Sequence, residues 1–433
     1  MRKSLISIAP LAILGLAGQA HADESNVVIY GILDTAVANI QHALNFDPYH
    51  PVSNNPNVTQ GTQSATGMLN GAMSATRWGI KGQEDLGDGL KAVFLLEDGF
   101  SLGSGNINNA ALGLANNTAL GPNMSADSAI SGQFFNRGAY VGIGKAAVWG
   151  TVTFGRQQSF FLDNISIFDP MMGSQAFSPL GFSGTYGGGG ATDDSRVDNS
   201  VKYRVAFGDF TLGALYKFGG VAGSNSAQGA YEVNGVYAAG PLGVQLGYQQ
   251  FKDAFAIGNN TGAGSVKVTA EDTKAYMLSA KYSFDALTVR GGFEREEYTN
   301  PSNPTSDATL TSIYGVAVAS VSTNPFPTGQ KNLNVYWLGG GWDFSSAFSL
   351  LLGGYHVSQN AYACTTPTNK ACSGSLNYYS LVGDYHFSKR TDSYFGLMES
   401  TVSGGPAYAV ANKAPLASET SNRIIALGIR HVF

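Results

Sequence analysis

Few side chains in this sequence are placed for bond-making chemistry. Of its six histidines, His21 lies in a leader-like start, His42 and His50 fall in a polar stretch, and His431 belongs to the terminal strand-like run. His356 and His386 alternate with apolar neighbours and could face water. No Gly-x-Ser-x-Gly elbow or His-Glu-x-x-His pair accompanies them. Gly144-Lys145 lacks the upstream glycine of a phosphate loop, because Ala139 stands there. Cys364 and Cys372 sit in a Thr/Pro/Asn/Gly-rich stretch that offers too few further ligands for a metal. In an oxidising compartment they would pair as a disulfide and close a small loop; two free thiols is the alternative. No catalytic group, cofactor or metal is expected. The chemistry that remains is electrostatic, carried by charges spaced two or four apart: Arg77 and Lys81, then Arg196, Asp198, Lys202 and Arg204.

Spacing by two belongs to strands, where successive side chains face opposite sides. Leu212, Ala214, Tyr216 and Phe218 alternate with Thr211, Gly213 and Lys217, and Tyr276, Leu278, Ala280, Tyr282 and Phe284 alternate with Ser279, Lys281 and Ser283. Leu287–Glu294 and Tyr379–Phe387 repeat the pattern. In Arg77–Gln83 it sends Trp78 and Ile80 to a greasy face and Arg77, Gly79, Lys81 and Gln83 to a wet one. In Arg196–Arg204 it sends Val197, Asn199, Val201 and Tyr203 one way and the charged set with Ser200 the other. Composition agrees. The 433 residues include 56 glycines, 21 Tyr and 24 Phe with only 13% charged residues, against about 25% in ordinary soluble domains. Glycine costs roughly 1 kcal/mol per helix position, which argues against a helical bundle. The formal net charge of −5 gives no basic excess for nucleic acid.

Arg2 and Lys3, the apolar run Leu5–Leu16 and Ala20-His21-Ala22 have the three parts of a secretory signal, residues 1–22, leaving a mature chain of residues 23–433. The run is too short for a spanning helix, and Thr309–Thr323, the longest later candidate, is short and rich in Ser, Thr and Gly. Short turns (Asp85–Gly89, Gly208-Asp209, Gly240–Gly243, Phe284–Ala286, Ser388–Thr391) alternate with long polar segments. The long ones are His42–Ala72, Ser101–Gly132, Ser159–Asp193, Gly220–Gly229, Ala254–Glu271, Thr299–Gln330, Ala361–Gly374 and Ser403–Glu419. Eight long loops on one side imply sixteen strands of an all-β, transmembrane antiparallel β-barrel. Thr309–Thr323 stays open between loop and strand. Phe433, His431, Ile429, Leu427 and Ile425 form a terminal lipid-facing stripe ending in an aromatic carboxyl terminus, and Phe433 resembles a membrane assembly signal.

The segment Ser74–Phe100 (SATRWGIKGQEDLGDGLKAVFLLEDGF) resembles the second hairpin of the trimeric general porins of Gram-negative bacteria, β-proteobacterial type. Val27–Val37, Arg137–Gly144, Gly150–Gln157, Arg196–Tyr203, Ser388–Thr391 and Gly428–Phe433 follow in family order. The resemblance implies an outer-membrane homotrimer, bounded by outer-membrane lipids, that passes small hydrophilic solutes and ions by diffusion. It also implies that the third long loop, Ser159–Asp193, folds into the lumen and narrows it. The basic cluster of the constriction then maps onto Arg77, Arg137 and Arg196, with Lys81 and the acid Glu97 nearby. Asp163 and Asp169 would be the loop-three acids, although Met171-Met172 and Gly187–Gly190 depart from the usual acidic tip. A basic wall would focus a field across the passage and give a mild anion preference. Two other readings are a substrate-selective channel and a surface-binding barrel whose loops act in adhesion or recognition.

Overall fold

The computed structural model describes residues 26–43, 63–103, 105, 134–146, 148–182, 196–253, 256–257, 268–269, 272–303, 312–313, 316–317, 329–361, 373–404 and 421–433. The leader, the Gly187–Gly190 run, Cys364 and Cys372 lie outside them. Sixteen antiparallel strands follow the alternating segments. They are β1 (Asn26–Ala43), β2 in two pieces (Gln63–Asn70 and Arg77–Gly87), β3 (Leu90–Gly99), β4 (Gly138–Lys145), β5 (Gly150–Gln158), β6 (Arg196–Phe207), β7 (Phe210–Lys217) and β8 (Ala230–Ala239). The second half comprises β9 (Leu242–Phe251), β10 (Asp272–Phe284), β11 (Leu287–Thr299), β12 (Lys331–Asp343), β13 (Phe348–Gln359), β14 (Gly374–His386), β15 (Thr391–Gly404) and β16 (Ser421–Val432). Each pairs with the next, and β16 returns to β1 from Ile32↔Val432 to Ile40↔Ile424, so the sheet closes with no free edge.

The two faces of this wall differ as the alternation requires. On β10, Tyr276, Leu278 and Tyr282 are exposed while Ala275, Met277 and Ser279 are buried. The exposed face carries a belt of leucines, among them Leu246, Leu278, Leu338, Leu352 and Leu427. Toward the short turns the belt is bordered by Phe210, Phe284, Trp342 and Phe387, and toward the long loops by Tyr216, Tyr231, Tyr276 and Tyr336. Apolar belt between aromatic girdles is the lipid-facing surface of a membrane barrel. The terminal stripe joins it: Ile425, Leu427 and Ile429 are exposed, and Phe433 exchanges two backbone hydrogen bonds with Gly31, both 3.1 Å.

One expectation changes and one open question closes. Barrel pairing resumes at Gln63, well inside the segment His42–Ala72 read as loop, because β2 is interrupted rather than short. Within Thr309–Thr323, Ser312–Ile313 pairs only with Val316–Ala317 in a two-stranded ladder of its own, so these residues belong to a loop and add no strand to the barrel.

The break in β2 has a local cause. Gly71 adopts φ +74°, where a side chain would be strained, and turns residues 71–76 out of the ladder. Asp34 then clamps them. Its carboxylate accepts the N–H groups of Met73 (3.1 Å) and Ser74 (2.6 Å) and the Tyr394 hydroxyl (2.5 Å), and the Thr76 hydroxyl donates to its carbonyl. The displaced Ala72 carbonyl in turn accepts from the Ala176 N–H (2.9 Å) and the Ser174 hydroxyl (2.8 Å).

Those last two residues belong to the segment after β5. There Ser159 caps helix α1 (Phe160–Phe168) by accepting the Leu162 N–H, and a short turn of helix, α2, follows at Pro179–Phe182. The segment lies against the face of the wall opposite the leucine belt. Glycines make the close approach possible: an added Cβ at Gly213 would stand 2.2 Å from the Phe160 ring, at Gly247 2.4 Å from Phe161, and at Gly396 2.2 Å from Phe177. Between these seats, the Trp337 indole donates to the Phe168 carbonyl (3.1 Å), Arg290 Nε to the Ile167 carbonyl (3.1 Å) and the Ser380 hydroxyl to the Phe177 carbonyl (2.6 Å). Phe161, Ile165, Met171, Phe177 and Leu180 share one apolar cluster with wall residues of β10 and β12–β16.

Candidate functional site: charges on the sheltered face

Two charged groups flank the start of this segment. The first is centred on Glu97, near the end of β3. Its Oε1 accepts from Arg137 Nε at 2.7 Å, its Oε2 lies 3.6 Å from Arg77 Nε, and the Tyr30 hydroxyl donates to Oε2 at 2.8 Å. Registers explain the meeting: Arg77 pairs with Gly99, Glu97 with Gly79 and Gly138, and Tyr30 with Gly79. Three strands therefore put small residues beside the long ones. Arg137 precedes β4 and folds back over Gly99, where an added Cβ would stand 3.1 Å from its Cδ. Arg77 also donates to the Ala75 carbonyl (3.0 Å) in the β2 break. Lys81, two steps along the same face, holds its ammonium 4.9 Å above the Tyr30 ring and is exposed.

The second group is centred on Asp163, in the first turn of α1, where a carboxylate also suits the helix dipole. It takes Lys202 Nζ at 2.6 Å and Arg204 Nη2 at 2.7 Å, both from β6. Both cations lie over the Phe160 ring, at 4.3 and 5.3 Å from its centroid. The Arg204 side chain remains 37% exposed.

Arg196 is displaced from its expected place. Asn199 adopts φ +51°, and the β5–β6 register slips between Gly155↔Ser200 and Gln157↔Val197. One extra residue reverses the alternation. Val197 and Ser200 are both buried, and Val197 joins Phe160 in an apolar cluster. Arg196 thus falls on the opposite face, with Asp198, which ion-pairs to Arg156 at 2.5 Å. Lys202 and Arg204 take the wall position that strict alternation had shared with Arg196. Asp169 also changes role. It is fully buried, accepts from the Tyr355 hydroxyl (2.5 Å) and the Gly173 N–H (2.6 Å), and closes α1. Burial pushes its carboxyl above the usual range, and those two donors oppose the shift. It staples the loop rather than facing a solute.

Sequence reasoning singled out Arg77, Arg137 and Glu97, which the fold brings together, but not Tyr30 or Arg290. Tyr30 was within reach, since it shares its face with Asp34, Ala36 and Ala38 by simple alternation. Arg290 needed loop three in place, because its partner is a backbone carbonyl 123 residues away. Among the described residues, Asp384, His386 and Asp392 also bring possible ligand atoms within 4.8 Å of one another, and the Ser349 hydroxyl lies 3.1 Å from His386 Nε2. Arg430 ion-pairs with both of these acids, at 3.4 and 3.1 Å, and already supplies their counter-charge.

Comparison with known proteins agrees with this architecture. A family model described as Gram-negative porin matches residues 8–405. An outer membrane porin protein of Bordetella pertussis is 28% identical over the full length of both chains. Among solved structures, an anion-selective porin from Comamonas acidovorans superposes with a TM-score of 0.64 at 23% identity, covering 95% of this chain and 100% of its own. The trimer form of OmpT from Vibrio cholerae superposes with a TM-score of 0.58 at 15% identity, covering 95% and 100%. The leucine belt, the closed sixteen-stranded wall and the family match lead to one conclusion: the chain belongs to the Gram-negative porin family of outer-membrane channels.

Proposed function

We propose that the protein is a general diffusion porin with a mild anion preference, in which loop three folds into the lumen and, with the wall, forms the constriction. The seating of Phe160, Phe161 and Phe177 over Gly213, Gly247 and Gly396, on the face away from the leucine belt, supports the lumenal placement. One observation carries the selectivity. Each of the two charged groups ion-pairs two cations with a single acid, Arg77 and Arg137 with Glu97, and Lys202 and Arg204 with Asp163. The Glu97 group keeps an excess of one positive charge and exposed Lys81 adds another, while at the Asp163 group buried Glu232, engaged by the Phe160 and Phe161 N–H groups, offsets part of the excess. This local excess governs a passing ion more than the chain's overall −5 does, because external loop charges are screened within about 8–10 Å.

The constriction assigned here comprises Arg77, Arg137, Glu97, Lys81, Lys202, Arg204 and Asp163, without Arg196 and Asp169. Solutes pass by diffusion, so the reading assigns the chain no catalytic role and no cofactor. Export on a cleaved leader of residues 1–22 delivers it to the outer membrane. Assembly as a homotrimer is supported by the family and by the trimer form of OmpT, a structure sharing the fold. Single-channel recording of refolded protein in a planar bilayer under a salt gradient tests the reading. Conductance in groups of three steps with a reversal potential favouring chloride is expected. A potential favouring the cation would overturn the anion preference, and single steps would overturn the trimer.

A further inference from the structure

Beyond the basic constriction, about half-way round the wall, the same sheltered face carries a group of the opposite sign. Glu294 and Glu296 stand two apart on β11 and therefore point the same way, and both are buried. Glu294 pairs with Met277 and Val335 and Glu296 with Ala275 and Leu333, so their wall neighbours are apolar. The Tyr298 hydroxyl donates to Glu296. Neither carboxylate oxygen of Glu294 has a hydrogen-bond partner. A second, independent observation comes from β9. Gln249 is fully buried, yet neither its amide nitrogen nor its carbonyl oxygen is hydrogen-bonded. Register places Gln249 in one row with Ala275 and Glu296, with only a methyl group between them. The next row is Gly247, Met277 and Glu294. These rows lie on the long-loop side of Arg290, beside helix α1, whose Phe161 fills the space over Gly247.

Buried carboxylates and carboxamides are ordinarily satisfied, and a buried charge without a counter-charge is strongly disfavoured. Here two carboxylates on β11 and a carboxamide on β9 flank the small Ala275 of β10 on the same face of the wall. The donor set is all oxygen, without histidine or sulfur, which suits a hard divalent cation such as Ca²⁺ or Mg²⁺ and not a transition metal. Two carboxylates also match the charge of a divalent ion. We propose that Glu294, Glu296 and Gln249 form a divalent-cation site on the inner wall of the barrel, across the lumen from the Arg77–Arg137 cluster. A cation held there neutralises the acid pair, so that the field through the channel is set by the basic side alone. The site rests on the barrel fold but not on the proposed anion preference.

The test uses full-length mature protein refolded without lipopolysaccharide, which itself binds divalent ions. Equilibrium dialysis against radioactive Ca²⁺, with Mg²⁺ as competitor, is compared between wild type and Glu294→Gln/Glu296→Gln. Heat-modifiable gel mobility checks that each variant is folded. Gln249→Leu is the milder variant, since it keeps both acids. Wild type is expected to retain a Ca²⁺ per protomer that the double variant lacks, with affinity weakened about tenfold in Gln249→Leu. Equal binding by wild type and the double variant, or no retained Ca²⁺ in folded wild type, would overturn the site. Conductance steps in the same preparations report separately on the pore, so loss of the cation site and loss of the channel are distinguishable.

Discussion

The two ends of loop three are held by different physics. Its beginning combines charge with shape, with Asp163 clamped by Lys202 and Arg204 beside the Arg77–Glu97–Arg137 group while Phe160 and Phe161 sit over Gly213 and Gly247. Its far end is held by shape, with Phe177 over Gly396, Met171 and Leu180 buried in the apolar cluster, and Asp169 locked to Tyr355. The lesson is a division of labour. Aromatic rings on glycine fix where the loop lies without spending charge, and under the proposed function this leaves the cations of β2–β6 in partial excess and able to act on a passing ion. Loop position and ion selectivity should therefore be separable by mutation.

The largest effect is expected from the shape-held end. A leucine at Gly396 must displace Phe177, because even a Cβ would stand 2.2 Å from that ring. Overpacking of this kind costs about 1–3 kcal/mol, comparable to what a loop segment contributes, so loop three leaves its seat. Gly396→Leu should give a larger and noisier conductance with the sign of the selectivity retained. If conductance is unchanged, Phe177 does not position the loop.

Next in size is the charge-held side. Arg77→Gln/Arg137→Gln converts the Glu97 group from an excess of one positive charge to one negative. A unit charge about 6 Å from an ion in water is worth about 0.7 kcal/mol, roughly a threefold factor in relative permeability, and two charges compound it. The reversal potential should move toward, or past, zero at low salt and recover part of its wild-type value in Glu97→Gln added to the same background. Asp163→Asn should act in the other direction by about threefold, freeing Lys202 and Arg204. Conductance should hardly change, because the Phe160 and Phe161 seats remain. A variant in which both conductance and selectivity shift together would erase the division between the two ends.

Asp169→Asn is smaller in its electrical effect but not in stability. The carboxylate accepts from both a hydroxyl and an amide N–H, and an Asn must turn its own NH2 toward one of them. Leaving a buried donor unpaired costs about 1–3 kcal/mol. The folded barrel should melt at lower temperature on heated gels with its reversal potential intact. A changed reversal potential would return Asp169 to the constriction.

Much of this was legible in the sequence because a barrel strand records its two faces directly. Tyr276, Leu278 and Tyr282 announce lipid, Ala275 and Ser279 announce the other side, and eight long loops count the strands. Arg77 and Glu97 were legible for the same reason. What was hidden depends on departures from that period. The β2 break is written as Gly71 followed by small residues, which also describes a plain loop. Asp169 reads as a free acid until Tyr355, 186 residues later, is brought beside it. The partners of Phe160 and Phe177 are glycines, whose role is to be absent, and no pattern in the chain marks Gly213 or Gly396 among 56 glycines.

Arg196 is where this distinction is finest and the expected effect smallest. Strict alternation puts it on the same face as Lys202 and Arg204, and it would then add a third cation to the Asp163 group. The bulge at Asn199 makes Val197, its neighbour, the residue that meets Phe160 and turns Arg196 to the face of Asp198 and Arg156. Arg196→Gln should accordingly leave the reversal potential within the scatter of wild type, whereas Arg204→Gln, from the same strand, should lower chloride preference by about threefold. The pair isolates parity from charge, since each variant removes one arginine from β6. If Arg196→Gln instead matches Arg204→Gln, the bulge does not invert the strand in the membrane, and the constriction regains the third arginine that alternation alone predicts.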